Sequence, residues 1–321
     1  MPYNSVTYIR EAGGPGELEK HVTDIQGSGV TTVIVGMLHV GYPRDTDPGM
    51  ELGDFVYNDY PKGLLVRGGK FNPNGSQAIK DWPAQVARLK QQGSVQNVFL
   101  VVGSPPEYWP DFGTMQQMFA EGKADLLKQN LVALKEALTI DGRCAIDGFD
   151  IDCEETGTVD KKTIVRFCEM VFDLGFKVTF CPYSDHEWWQ DCMKALWNKN
   201  KVSWWNLQCY SGGFGNLNNL QPWIDALSEV VSGKVVGGDG AAYLVPGLAP
   251  AGEDDVGGDV HCPSGSDSFE TIAAGWNNPK LAGMFLWRYD PLALAKNQGL
   301  CGGQNNLKNY VKAINEGLSK G

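Results

Sequence analysis

Eight times along the chain a short apolar run rich in β-branched residues gives way to a longer amphipathic stretch, and no other feature limits its folding so tightly. Such alternation is the pattern of a parallel sheet wound with helices, because each buried strand needs a crossover long enough to bring in the next one parallel. The apolar runs are "NSVTYIREAG" (4–13), "VTTVIVGML" (30–38), "VQNVFLVVG" (95–103), "CAIDGFDID" (144–152), "FKVTFCPYS" (176–184), "VSWWNLQCY" (202–210), "KVVGGDGAA" (234–242) and "LAGMFLWRY" (281–289). Helical patterns accompany them in "GELEKHVTDIQ", "SQAIKDWPAQVARLKQQ", "ADLLKQNLVALKEAL", "DKKTIVRFCEMVFDL", "EWWQDCMKALWNKN", "LQPWIDALSEVV", "SFETIAAGW" and "LKNYVKAINEGL". These units tile residues 1–321 without a linker, so the expectation is an α/β fold, a single-domain (β/α)8 TIM barrel.

Two insertions interrupt the series. Residues 41–74 hold "ELGDFVYND" and "GLLVRGG", which can pair as a hairpin, and residues 244–268 read as a polar loop. Both follow strands and therefore belong on the C-terminal rim, where barrels of this architecture keep their active sites.

The net charge of −11 argues against nucleic acid, whose binding rests on neutralised phosphates. No apolar segment reaches the roughly 18 residues of a membrane span, and "MPYNSVTYIREAGG" lacks a basic start and apolar stretch. The expectation is a soluble monomer, either cytoplasmic, non-classically released, or secreted after loss of a leader. Of the eight cysteines, six lie in strand or helix patterns and read as small buried hydrophobes. Cys262 and Cys301, in "HCPSG" and "GLCGG", are the pair to consider for a disulfide.

The fourth apolar run carries the chemistry. In "CAIDGFDIDCEETG", Asp150, Asp152 and Glu154 alternate with Ile151 and Cys153, so all three carboxylates leave one face of one strand. Successive same-face positions are about 6 to 7 Å apart, close enough that the three cannot all ionise independently in a partly dry barrel mouth. A carboxylic acid with a raised pKa is what general acid catalysis needs, and glycoside cleavage uses one to protonate the leaving oxygen. Glu154, outermost and longest, is best placed for it. Acids facing water would not suit a strand buried on both sides. Carboxylates alone can also bind Mg²⁺ or Ca²⁺, yet only His39 and His186 fall near strand ends, so a zinc or two-metal site is poorly supplied. The expectation is therefore no metal and no cofactor.

Asp147, Gly148, Asp150, Asp152 and Glu154, read as D-G-x-D-x-D-x-E, resemble the signature of glycoside hydrolase family 18, the chitinases and endo-β-N-acetylglucosaminidases. Gln208 and Tyr210 in "NLQCYSGG" are similar to the family's Q-x-Y, Trp287 in "GMFLWRYD" to its pocket-floor Trp, and "VFLVVGSP" loosely to its third strand. The resemblance runs from strand three to strand eight. It implies Glu154 as proton donor and later base, Asp152 orienting the substrate's 2-acetamido group, and Asp150 sharing a proton with Asp152. It further implies that Tyr210 donates to the acetamido oxygen and that Trp287 lies beneath the sugar. Cys153, where many relatives carry an aromatic residue, and Ser211, where Asp or Asn is usual, depart from the pattern.

On this resemblance the chain is a retaining, endo-acting hydrolase of β-1,4-linked N-acetylglucosamine polymers, chitin or its oligosaccharides. The alternatives are an enzyme cutting the chitobiose core of N-glycans and a non-catalytic chitin-binding lectin. The stretch between strands seven and eight, about 40 residues, is short for the α+β insertion of many processive chitinases, which implies a shallow open groove. Tyr183, Trp109 and Trp189 are candidate sugar-stacking residues, although an aromatic side chain is more often core. Trp287 and Tyr210 share that ambiguity. Glu155 and Asp147, out of phase with the acidic row, read as bridging or structural, and His186 as a surface imidazole.

Overall fold

The computed structural model describes all residues except 1, 2, 11–15, 17, 106, 198–201, 233–238 and 255. In chain order the strands are β1 (Asn4–Ile9), β2 (Thr32–Val40), β3 (Phe55–Tyr57), β4 (Leu64–Arg67), β5 (Lys70–Phe71), β6 (Asn97–Val102), β7 (Thr139–Ile140), β8 (Arg143–Cys144), β9 (Gly148–Ile151), β10 (Lys177–Phe180), β11 (Trp205–Gln208), β12 (Leu244–Pro250), β13 (Val260–His261) and β14 (Gly283–Leu286). Parallel pairing runs β1–β2–β6–β9–β10–β11–β12–β14, and β14 returns to β1 with Gly283 opposite Asn4. The eight staves close a barrel, as the alternation predicts.

The helices are α1 (Val22–Gly27), α2 (Gln77–Arg88), α3 (Asp111–Ala120), α4 (Ala124–Ala137), α5 (Lys161–Asp173), α6 (His186–Trp197), α7 (Gln221–Ser232), α8 (Phe269–Gly275), α9 (Asp290–Ala293), α10 (Leu300–Gly303) and α11 (Leu307–Lys320). The period-2 alternation of the staves divides the apolar side chains into two cores. Outward residues such as Val33, Leu100, Phe149, Ile151 and Val178 meet the apolar faces of the helices. Inward residues, among them Tyr8, Ile34, Phe99, Val101, Val245 and Phe285, fill the barrel itself.

The insertion at 41–74 forms the expected hairpin, β3 against β4, and β3 pairs antiparallel with β2 to continue the sheet at the rim. The seventh strand lies later than its sequence pattern suggested. Residues 240–243 form a 3-10 turn, residues 234–238 lie outside the described set, and the stave is Leu244–Pro250, the first part of the stretch read as a loop. Pro246 and Gly247 disguised it. A Cβ on Gly247 would lie 2.1 Å from the Phe285 ring, so glycine here makes room for an aromatic residue inside the barrel. Among the described residues, 251–282 contain only β13 and α8 and no α+β subdomain. Strand β1 ends at Ile9, and residues 11–13 of that expected strand lie outside the described set.

A disulfide joins Cys262 to Cys301, tying the segment after β12 to the chain ahead of α11. The other cysteines are free and buried, apart from the partly exposed Cys144. Among the described residues no helix is long and apolar enough to cross a membrane.

Candidate active site

Two glycines press the acidic strand against its neighbours. A Cβ on Gly148 would lie 2.2 Å from the Lys177 carbonyl oxygen, and one on Gly103, at φ +113°, would lie 1.9 Å from the Asp152 carbonyl oxygen. The backbone beyond β9 is therefore held flush with the end of β6, where Asp152 N also donates to Val102 O at 2.9 Å.

Asp150 is fully buried inside the barrel. Its oxygens accept from Tyr8 Oη (2.6 Å), Thr179 Oγ1 (2.6 Å) and Asn206 Nδ2 (3.0 Å), and Asn206 is itself held by Trp204 Nε1 at 2.8 Å. Burial pushes the Asp150 carboxyl up, and these three donors pull it back. The hydrogen bonds run sideways to β1, β10 and β11 rather than along the strand to Asp152.

Asp152 accepts from Gln208 Nε2 at 3.0 Å. Burial, and then the charges of Glu154, Asp150 and Asp111, hold its carboxyl well above the usual carboxylate range. Glu154 is partly exposed at the mouth. Burial and the Glu107 charge raise it to about 7, and Gln208 offsets part of that shift. Burial thus raises all three carboxyls, and three donors offset that rise at Asp150.

Beside the acids lies an aromatic floor. The Tyr210 and Trp287 rings stack at 15° with centroids 5.8 Å apart, and Tyr8 meets Trp287 edge-on at 5.1 Å. Tyr210 is buried and Trp287 half-buried. Burial pushes the Tyr210 phenol well up, so it stays an O–H donor. Tyr183, half-buried, donates to Ser211 O at 2.7 Å. Burial and the Glu154 charge raise its phenol.

Asp150, Asp152, Glu154, Gln208, Tyr210, Tyr183 and Trp287 thus come together at the C-terminal mouth. Trp109 and Trp189 do not join them. Trp189 is 0% exposed, on the buried face of α6 and packed on Phe180 and Trp188. Trp109 is 7% exposed, with His39 stacked on its ring at 4.5 Å and the Arg44 guanidinium 4.1 Å from its centroid. Their positions beside strand ends resembled a rim, but an aromatic one turn into a helix, or under an insertion, packs inward.

The out-of-phase acids have structural partners. Asp147 pairs with Lys90 at 2.8 Å and accepts from Val98 N. Glu155 accepts from Phe112 N and Gly113 N. His186 lies edge-on to Trp223 and borders a cavity of about 540 Å³ with Thr156, Ser184 and Asn216. Sequence reasoning missed Tyr8, Thr179 and Asn206, the donors to Asp150, and Asp111, which lies 3.0 Å from His39 Nδ1. Inward phase was the signal that could have found the first three, Thr179 on the stave next to the acidic one and Tyr8 and Asn206 on staves farther round the barrel. Among the described residues no group of three or more His, Cys, Asp or Glu is placed to hold a metal ion.

The chain is similar to the structure of active domain 2 of a thermostable chitinase from Pyrococcus furiosus, studied as catalytic-site mutants complexed with chito-oligosaccharides. The TM-score is 0.58 at 11% identity, over 99% of this chain and 96% of that one. A maltogenic α-amylase, AmyB from Thermotoga neapolitana, gives a TM-score of 0.41 at 13% identity, over 90% of this chain and 67% of that one. At such identity the first likeness carries the fold alone, a TIM barrel of the kind glycoside hydrolases use. No family model matches the sequence, and no curated protein does either.

Proposed function

We propose that the protein is a retaining, endo-acting glycosidase that cleaves β-1,4 linkages in N-acetylglucosamine polymers with help from the substrate's own acetamido group. The observation that carries this reading is Glu154, a carboxyl raised to about 7 at the barrel mouth, two residues beyond a buried acid. Near neutral pH such a group gives up a proton to a leaving oxygen and takes one back from water.

In the first step Glu154 protonates the glycosidic oxygen as the C1–O bond breaks. The acetamido carbonyl oxygen bonds to C1 from the opposite face, forming an oxazolinium ion. Asp152 orients that acetamido group and compensates the charge on its nitrogen, while the Tyr210 hydroxyl donates to its oxygen. Trp287 offers an aromatic face to the sugar. In the second step water attacks C1, loses a proton to Glu154, and reopens the ring with the anomeric configuration retained.

The test is incubation of the protein and its Glu154→Gln variant with chitohexaose, recording products and the first-formed anomer by NMR. Shorter β-anomers from the unmodified protein alone are expected. First-formed α-anomers, or equal turnover by the variant, would overturn the mechanism. Intact hexaose with cleavage of an N-glycan core would move the substrate, and binding without cleavage of either would make the protein a lectin.

A further inference from the structure

One residue beyond Glu154, the carboxylate of Glu155 turns away from the barrel axis and is nearly buried. Its oxygens accept from Phe112 N at 2.9 Å and Gly113 N at 3.0 Å, in the first turn of α3. Those N–H groups have no carbonyl partner within the helix, and the helix dipole favours negative charge at that end. Residue 110, preceding α3, is a proline that supplies no side-chain cap. A carboxylate from another βα unit takes the place of the missing cap.

The connection reaches further than one helix. Gly103, where the loop after β6 begins, already touches the Asp152 backbone, and Asp111, where the loop ends, opens α3. Both ends of this loop are thus fastened to the segment 152–155, one by a glycine contact and the other by Glu155. The loop carries Glu107, and α3 carries Asp111, whose Oδ1 also accepts from Val40 N at 2.6 Å. A Cβ on Gly113 would lie 2.9 Å from Glu155 Oε2, so the carboxylate occupies space that only glycine leaves open.

We propose that Glu155 is a positioning residue for catalysis: by clamping the start of α3 it fixes the direction of the Glu154 turn and the separation between Glu154 and the loop bearing Glu107. This inference rests on the reading of Glu154 as the acid. Glu107 from the loop raises Glu154 and Asp111 from α3 raises Glu155, and the two glutamates in turn raise Asp152 and Cys153 on the β9 segment, Cys181 and Tyr183 after β10, and Tyr210 after β11. Losing the clamp lets the loop relax outward, which admits water to Glu154 and lessens the Glu107 repulsion, the two causes that raise its carboxyl.

The experiment compares the unmodified protein with Glu155→Ala and Glu155→Gln, the latter keeping shape and one acceptor oxygen. It records kcat and KM on chitohexaose against pH, the carboxyl-¹³C NMR titration of Glu154 without substrate, and thermal unfolding. Glu155→Ala is expected to lower kcat about 10- to 100-fold with KM little changed, and to move the Glu154 midpoint downward. Glu155→Gln should fall between the two and serves if the alanine variant does not fold. An unmoved Glu154 midpoint with unchanged kcat in a folded variant overturns the proposal. So does a loss of activity that only tracks the unfolded fraction. If the unmodified protein leaves chitohexaose intact while the titration still moves, the clamp stands and the substrate reading falls.

Discussion

Along β9 and its continuation, two rows of side chains leave opposite faces of one backbone, and different physics holds each. The inward row, Asp150, Asp152 and Glu154, buries charge-bearing groups at a cost that hydrogen-bond donors on β1, β10 and β11 only partly offset. The outward row, Phe149, Ile151 and Cys153, is apolar and packs into the helical layer, with Phe149 edge-on to Phe176 at 5.2 Å. The contrast teaches that a single strand can keep its stability and its reactivity on separate faces. Glu155 ends the outward row with a charge, and there the separation breaks down.

The largest expected effect falls on the inward row. Glu154→Gln should lower kcat on chitohexaose by about 10³-fold while the far-ultraviolet circular dichroism stays unchanged. Turnover within about tenfold of the unmodified protein would remove Glu154 from its role. Next, on the outward face, Phe149→Ala should cost about 3 to 5 kcal/mol in urea unfolding, yet leave the pH profile of the folded fraction in place. A displaced profile would show that the two faces are not separate.

A smaller effect is expected from Tyr8→Phe, which deletes one of the three donors to Asp150. Stability should fall by about 1 to 3 kcal/mol near neutral pH, and kcat with it, because a buried carboxyl oxygen loses its donor. Equal unfolding midpoints for variant and parent would count against the bond.

Smaller again is the pH effect. Glu154 is raised to about 7 from 4.5, so kcat should decline as pH rises through about 7 and the donor form is lost. A raised folded-state pKa also means that its contribution to stability is complete below about 4.5 and disappears as pH rises through about 7. Urea titrations of the parent and Glu154→Gln should lie closest at the acid end of that window and separate toward its upper end as the parent loses stability, and parallel curves would refute the linkage. Last, EDTA is expected to leave turnover unchanged; loss restored by Mg²⁺ or Ca²⁺ would return the acidic row to metal binding.

The rows differ also in how far the sequence revealed them. Alternating acids within a βα series are legible because a strand's phase is fixed by its own residues. The donors to Asp150 are not, since Tyr8, Thr179 and Asn206 are ordinary strand residues until the barrel's register sets Thr179 opposite Asp150 and brings β1 and β11 round. Tyr210 and Trp287 came from resemblance rather than from pattern. The same limit explains Trp109 and Trp189: sequence shows that an aromatic residue follows a strand, not which way its helix or insertion turns it. Stave β12 was hidden by Pro246 and Gly247, and α3 by the Gly113 in its first turn, both placed where close approach outweighs local propensity.

The bond between Cys262 and Cys301 makes a covalent hoop across a sequence separation of 39, and α8, β14 and Trp287 lie within it. A hoop of that size narrows the denatured ensemble by an amount on the order of 4 kcal/mol. The last stave and Trp287 therefore belong to the one stretch whose freedom is curtailed even when nothing is folded. A reductant is expected to weaken the barrel from the unfolded side, leaving every native contact of the acidic strand as it was.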